Sequence, residues 1–481
     1  MSTLRRKARA DKRGSRRGAR VRIGAPDPKL TGLAGLTCVD ELVSRLGVVE
    51  ALDAGIGEVK KRKRGLSAGQ LLTGLAALQW TGGQWLSAAD ELRADAGAML
   101  LEAAPVVAST TARGLMQRLG EKQFAGIETG LATIYDRWFS RLPAQSRAEL
   151  ATRAPTIDLD ATDIEVYGRN KEQVGYTYAG VKAGRVHLAS WAGAELPLAL
   201  DLTAGDDDPR PHAPDLLRRA LAVLPKALCA RPRVRADAGY FDAALANAAR
   251  AAGVDFAIAA KRNPAAWRAY AAIPEQAWVP ARDMHGAQVA ACDYAPAGWP
   301  EGTYTIVRRV RVPVEQISAD PRARRRRTIP KGQLSLALGG DCDHVWAVSF
   351  IVTDIPADEK DMVGLEAWFR SRVSIEERFR EAKLGAGLTH LPSASHAVNT
   401  GWAWAGALAG ALNVMLASLT GPQPYVRHPG RVHIDTLRRH LLTIPARLTR
   451  HAGGLTLRLG PRGDALTSAL ARLRALPAPV Y

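Results

Sequence analysis

From residue 36 to residue 142 apolar side chains recur every three or four positions, and at Pro155 the recurrence shortens to every second position. The first pattern predicts helices over residues 36–52 (ending near Gly55 or Gly57), 67–79, 88–101 and 111–142, separated by Gly and Pro. The second predicts a strand over residues 156–167. On it Asp158 and Asp160 share one face and Ile157 and Leu159 the other. Strands at 186–191 and 197–203 follow, with 168–184 as a polar loop between the first two strands. Next come a helix at 214–224, a short strand from Arg233 stopping at a glycine turn after Asp237, a helix at 241–252 and a strand at 254–259. Roughly 95 residues then intervene, too many for a loop without structure of its own. They hold strand candidates at 286–294, 304–312 and 344–353, broken by the basic run at 322–327.

The stretch 369–383 contains no Gly or Pro and reads as one helix. At about 100° per residue, Phe369, Arg372, Glu376 and Lys383 lie at roughly 0°, 300°, 340° and 320° around its axis. One carboxylate thus shares a narrow stripe with two cations, while Ile375 and Phe379 lie on another side and press the helix onto a core. In isolation such a stripe is equally a solvated face with ion pairs worth only tenths of a kcal/mol.

The order aromatic, two residues, Arg, three residues, Glu, six residues, Lys resembles the Tyr-Arg-Glu-Lys signature of insertion-sequence transposases of the DDE class, with Phe369 in place of the tyrosine. Asp160-Ala161-Thr162 resembles that family's Asp-x-Thr at the end of the first strand, and Asp237 before Gly239-Tyr240 resembles its second motif. The resemblance implies an α/β fold: an RNase H-like mixed sheet flanked by helices, interrupted by a β-rich insertion, with a helical N-terminal DNA-binding region. It also implies that Asp160, Asp237 and Glu376 are the catalytic and metal-binding carboxylates, with Asp158 and Asp163 as rivals of Asp160. Two Mg²⁺ or Mn²⁺ ions per active site would suit an all-carboxylate donor set. Arg372 and Lys383 would hold phosphates beside the scissile bond.

Charge strengthens the case for a polyanionic partner. The formal net charge is +19, and residues 1–30 carry eleven Lys or Arg against two Asp. Lys60, Lys61, Arg62, Lys63 and Arg64, together with Arg324, Arg325, Arg326 and Arg327, are candidate phosphate contacts, as are Arg308, Arg309 and Arg311. Trp278 and Trp299 are candidates for stacking on an unpaired base. The four cysteines are far apart and form no CxxC pair, so neither zinc nor a disulfide framework is expected. Residues 401–421 are uncharged and long enough to span a bilayer. Their Ala and Gly content and Asn413 predict a buried core helix instead, and no membrane partner.

The expected layout is a disordered basic tail (1–30), a helical DNA-end-binding region (31–150), the first part of the catalytic core (151–261), the insertion (262–356), the second part of the core with the Glu376 helix (357–421) and a basic C-terminal region (422–481). The expected function is cut-and-paste transposition of an insertion sequence. The partners would be double-stranded DNA, as terminal inverted repeats and target, and a second copy of the chain, acting at the nucleoid of a prokaryotic cytoplasm. The alternatives are another RNase H-like nuclease such as a resolvase, or a catalytically decayed DNA-binding protein.

Overall fold

The computed structural model describes residues 23–60, 65–101, 105–320, 323–356, 361–421, 432–451 and 453–478. Most of the basic tail, the cations Lys61, Arg62, Lys63 and Arg64, and the side chain of Arg324 lie outside them.

The alternating stretch forms strand Thr156–Glu165 (β1), with Ile157 and Leu159 fully buried on its inner face. Lys182–Trp191 (β2) and Leu196–Ala204 (β3) complete an antiparallel meander with it. Arg233–Ala236 (β4) then lies parallel to β1 on its other side, and Asp255–Ala259 (β5) parallel to β4. This order, β3-β2-β1-β4-β5, is the one expected of an RNase H-like core.

The insertion is β-rich as the pattern predicts: Ala287–Cys292 (β6), Tyr304–Pro313 (β7) and His344–Thr353 (β8). It does not form a sheet of its own. β8 pairs antiparallel with β5, and β7 and β6 continue outward, so the boundary expected at 261/262 falls inside one ten-stranded sheet. Local patterning finds each strand but carries no signal for which strand it pairs with.

The first third is helical, as expected. Leu36–Leu46 (α1) and Val48–Ile56 (α2) replace the single helix read at 36–52, because Gly47 takes a left-handed conformation (φ 58°) and turns the chain between them. Ala68–Trp80 (α3) starts at Ser67 in a capping box with Gln70. The stretch read at 111–142 is Ser109–Met116 followed by Glu121–Arg141 (α4). Ala213–Val223 (α5) and Ala243–Ala251 (α6) cover one face of the sheet.

The uncharged stretch, up to its last residue, lies within the long helix His396–Thr420 (α9), which packs between α3 and β3 with Trp402, Trp404, Leu408, Leu412, Met415 and Leu416 buried. It is the core helix its composition predicts. The helices of the first third share one continuous apolar core with the large sheet. A small second sheet joins the two ends of the chain: Leu30–Thr31 pairs with Ala446–His451 (β9), which forms a hairpin with Gly454–Leu459 (β10). Asp464–Arg474 (α10) then packs on α1 and α9.

The helical passage 369–383 is present, but not as a single regular helix. Met362–Arg370 (α7) tightens into a 3₁₀ turn at Ser371–Val373. It resumes as Ser374–Arg380 (α8) and widens into a π turn at Glu381–Gly385 before α9. Tertiary bonds meet the chain at both irregularities. Arg235 of β4 donates to the Trp368 carbonyl and, at 2.6 Å, to the Ser371 hydroxyl, and the Glu381 carboxylate accepts from the Ile434 amide at 2.8 Å. Ile375 and Phe379 are buried, as the periodicity predicts.

Candidate active site

β1 presents Asp158, Asp160 and Thr162 to the side where the α7–α8 passage crosses it, and each meets a different cation. The innermost, Asp158, is closed off. Arg235 on the neighbouring strand grips it with two bonds of 2.6 and 2.8 Å, and the two side chains are 2% and 1% exposed. The same guanidinium donates to the Trp368 carbonyl and, at 2.6 Å, to the Ser371 hydroxyl, and its flat face lies 5.0 Å from the Trp368 ring. One cation therefore fastens β1 to the end of α7.

Asp160 lies one pleat further along and opens into a cleft of about 730 Å³. Leu159 is level with Ala236 in the parallel pair, so Asp160 and Asp237 leave adjacent strands at the same height, with backbones about 5 Å apart. Asp237 sits at the C-terminal end of β4, where open α/β sheets place their ligands, and its carboxylate accepts from the Gly239 amide at 2.9 Å. Burial pushes the Asp160 carboxyl up to about 6; Arg372 pulls it down and the neighbouring Asp237 pushes it up again.

Glu376, on α8, lines the same cleft with Arg372, Arg380 and Lys383. The predicted stripe is therefore real. Phe369 is the exception: it packs with Ala257, Ile306, Ile351 and Leu365 in a satellite core outside the cleft.

Two of the expectations meet a more crowded arrangement than the spacing suggests. Among the described residues no three acidic, His or Cys side chains are gathered closely enough to hold one ion between them. Asp160 and Asp237 come together, but the group beside Asp160 is Arg372, which donates to its Oδ2 at 2.8 Å, with Glu376 further along the wall. Nor are Arg372 and Lys383 simple phosphate-facing cations. Lys383 donates to Thr162 Oγ1 at 2.7 Å and to the Asp163 carbonyl at 2.9 Å, and burial lowers its pKa. The rival Asp163 is taken by Arg185 at 2.8 Å on the opposite face of β1.

The base-stacking candidates are otherwise engaged. Trp278, only 8% exposed, is covered by the Arg309 guanidinium at 4.2 Å, which is itself sandwiched against Trp346 at 4.4 Å. Trp299 packs against Phe241 and Phe256. Arg308 is paired with the buried Glu366, and Arg326 braces its own loop through the carbonyls of Ser318 and Ala319. Arg325 and Arg327 flank it exposed on a 3₁₀ turn. None of these, nor Lys60, lines the cleft.

Sequence reasoning missed Arg380, whose helical position four residues after Glu376 would have revealed it. It also missed a buried brace behind Asp237. His187 bridges Thr203 Oγ1 and the Tyr240 hydroxyl, each at 3.0 Å, and so supports the turn that Asp237 begins. Burial, then the nearby His212 and Arg185, depress the His187 pKa from 6.5 to about 4. Because the folded value lies below the unfolded one, the stabilisation is complete above pH 6.5 and is lost as the pH falls through 4. The full span is on the order of 3 kcal/mol. The urea midpoint of the wild type is expected to fall more steeply than that of His187→Gln between pH 6.5 and 4, and parallel curves would refute the brace.

The model of the transposase DDE domain family matches residues 151–412, more than half of the chain and the whole span of the cleft. The chain belongs to that family. This transposase also aligns with the piggyBac transposase in a synaptic complex with hairpin DNA. That likeness covers 93% of this chain and 82% of the other at 10% identity, with a TM-score of 0.38, too slight to carry an argument. No curated protein sequence matches. DDE transposases generally use divalent metal ions. The donor set fits such an ion: two partly buried carboxylates at one level, which already draw the Arg372 guanidinium to them, attract a cation, and hard oxygen ligands suit Mg²⁺ or Mn²⁺.

Proposed function

We propose that this transposase cuts DNA at the ends of an insertion sequence and joins the freed 3′ ends to target DNA. Asp160, Asp237 and Glu376 would hold two Mg²⁺ or Mn²⁺ ions. The observation that carries the reading is the pairing of Asp160, midway along β1, with Asp237, at the C-terminal end of the adjacent parallel β4, in a cleft whose facing wall is Glu376, Arg380 and Lys383. When bound, the ions would activate a water or a DNA 3′-hydroxyl and stabilise the leaving oxygen. Arg372 would exchange Asp160 for a backbone phosphate, and Arg380 and Lys383 would hold the neighbouring phosphates in line.

The duplex ends would be inverted repeats gripped by the N-terminal helices, with Lys60 and the cations after it and Arg325 to Arg327 on the phosphate backbone. Two copies of the chain would act on paired ends in the prokaryotic nucleoid. A second reading, binding of element ends without cutting, is favoured by one observation, the guanidinium rather than a third carboxylate at Asp160. An end-labelled duplex carrying the repeats that flank the coding region decides between them. The expected result with Mg²⁺ or Mn²⁺ is nicking at the repeat and transfer of the labelled 3′ end to a plasmid. Binding with no cleavage under either ion would overturn the first reading in favour of the second, and cleavage without transfer would point to a nuclease.

A further inference from the structure

The segment between β1 and β2 is patterned like a polar connection, yet its backbone is built into the protein. Gly175–Tyr176 pairs with the start of β2, and Thr177, Gly180 and Val181 close a hydrogen-bonded turn, with Gly180 in a left-handed conformation (φ 77°). Lys171 donates to the carbonyls of Leu391 and Ser393, the Glu172 amide donates to Ala394, and Lys182 reaches back toward the carbonyls of Gly168 and Arg169. On this hydrogen-bonded segment Tyr167, Tyr176 and Tyr178 are 86%, 66% and 98% exposed. Exposed tyrosines beside the exposed Arg169 are the combination that holds a single nucleic-acid strand, with rings on bases and a cation on the phosphates.

Position favours the same partner. Ile164 and Glu165, at the end of β1, form the outer lip of the cleft that holds Asp160, and Tyr167 follows two residues later. At about 3.3 Å per residue the tyrosines begin no more than about 23 Å from Asp160. That is roughly seven nucleotides at the spacing of one B-form strand. We infer that residues 167–182 form a platform on which Tyr176 and Tyr178, with Tyr167, stack unpaired bases of a single DNA strand leaving the cleft. The inference rests on the reading of the cleft as a DNA-cutting site and adds to it a preference for unpaired flanking DNA.

Fluorescence anisotropy on the full chain tests it, with a blunt duplex compared against the same duplex bearing a ten-nucleotide oligo-dT tail. The wild type is expected to bind the tailed duplex more tightly. Tyr176→Ala/Tyr178→Ala is expected to weaken the tailed complex about tenfold or more and the blunt one little, with an unchanged slope of affinity against salt. Tyr176→Phe/Tyr178→Phe should retain the preference, since phenyl rings stack. Equal loss on both duplexes, equal loss from the Phe variant, or a change in sedimenting mass of the Ala variant, which would mean that a second copy covers the tyrosines, would each overturn the platform. Wild-type cleavage of the blunt duplex, measured in parallel, reports on the cleft independently. If it is absent while the tail preference stands, the cutting assignment fails and not the platform.

Discussion

Asp237→Asn is expected to abolish DNA cleavage by the purified protein, by at least about a thousandfold, while leaving the fold and DNA binding in place. On the proposed assignment, losing one of the carboxylates that would hold the metal ions removes several kcal/mol of transition-state stabilisation, at about 1.4 kcal/mol per tenfold. The substitution keeps the shape and the bond from the Gly239 amide, so the turn at Ala238–Tyr240 survives. Asp160→Asn is expected to do the same. Asp163→Asn, which breaks only the half-exposed pair with Arg185, should stay within about tenfold of wild type. Gel assays on an end-labelled duplex with Mn²⁺ read all three. Cleavage surviving in Asp237→Asn, or lost equally in Asp163→Asn, would show that the reacting carboxylates have been misassigned.

Arg235→Ala is expected to destabilise the protein by about 3 to 5 kcal/mol, because Asp158 would be left charged and unpartnered in the interior. Against a typical total of about 5 to 15 kcal/mol this is a large fraction. The same change removes the Arg235 bonds to the Trp368 carbonyl and the Ser371 hydroxyl at the 3₁₀ turn that carries Arg372 and precedes Glu376. Cleavage should therefore fall even where the variant remains folded. Replacing both partners together, as Arg235→Met/Asp158→Leu, should recover most of the stability, since the isolated buried charge is what costs most. Denaturant midpoints of the two variants check this. If the double variant were no more stable than Arg235→Ala, the loss would lie in the contacts to Trp368 and Ser371 rather than in the stranded carboxylate.

The periodicities were enough to mark β1, the strands of the insertion and the buried side of α8, because each depends on near neighbours along the chain. The choice between Asp158 and Asp160 was not legible. Both stand on one face of β1, and what separates them is Arg235, which arrives from a strand some 70 residues away in the sequence. What covers the indoles of Trp278 and Trp299 was hidden for a similar reason: Arg309 and Phe241 reach them from other elements. No breaker residue announces the turns at Ser371–Val373 and Glu381–Gly385, where the distant Arg235 and Ile434 bond to Ser371 and Glu381. The exposed tyrosines of residues 167–178 escaped because a polar stretch between strands reads as mere connection, and only the hydrogen-bonded backbone shows it to be a built surface.

The small sheet that joins Leu30–Thr31 to β9, with α10 seated on α1, sets a schedule for the newborn chain. Helices made first cannot finish their packing until the last ones leave the ribosome. At about 5 to 20 residues per second, α1 waits roughly 20 to 90 s for α10. During that interval the part of its apolar side that α10 covers is open to chaperones, and a stop codon before residue 464 would leave that part uncovered.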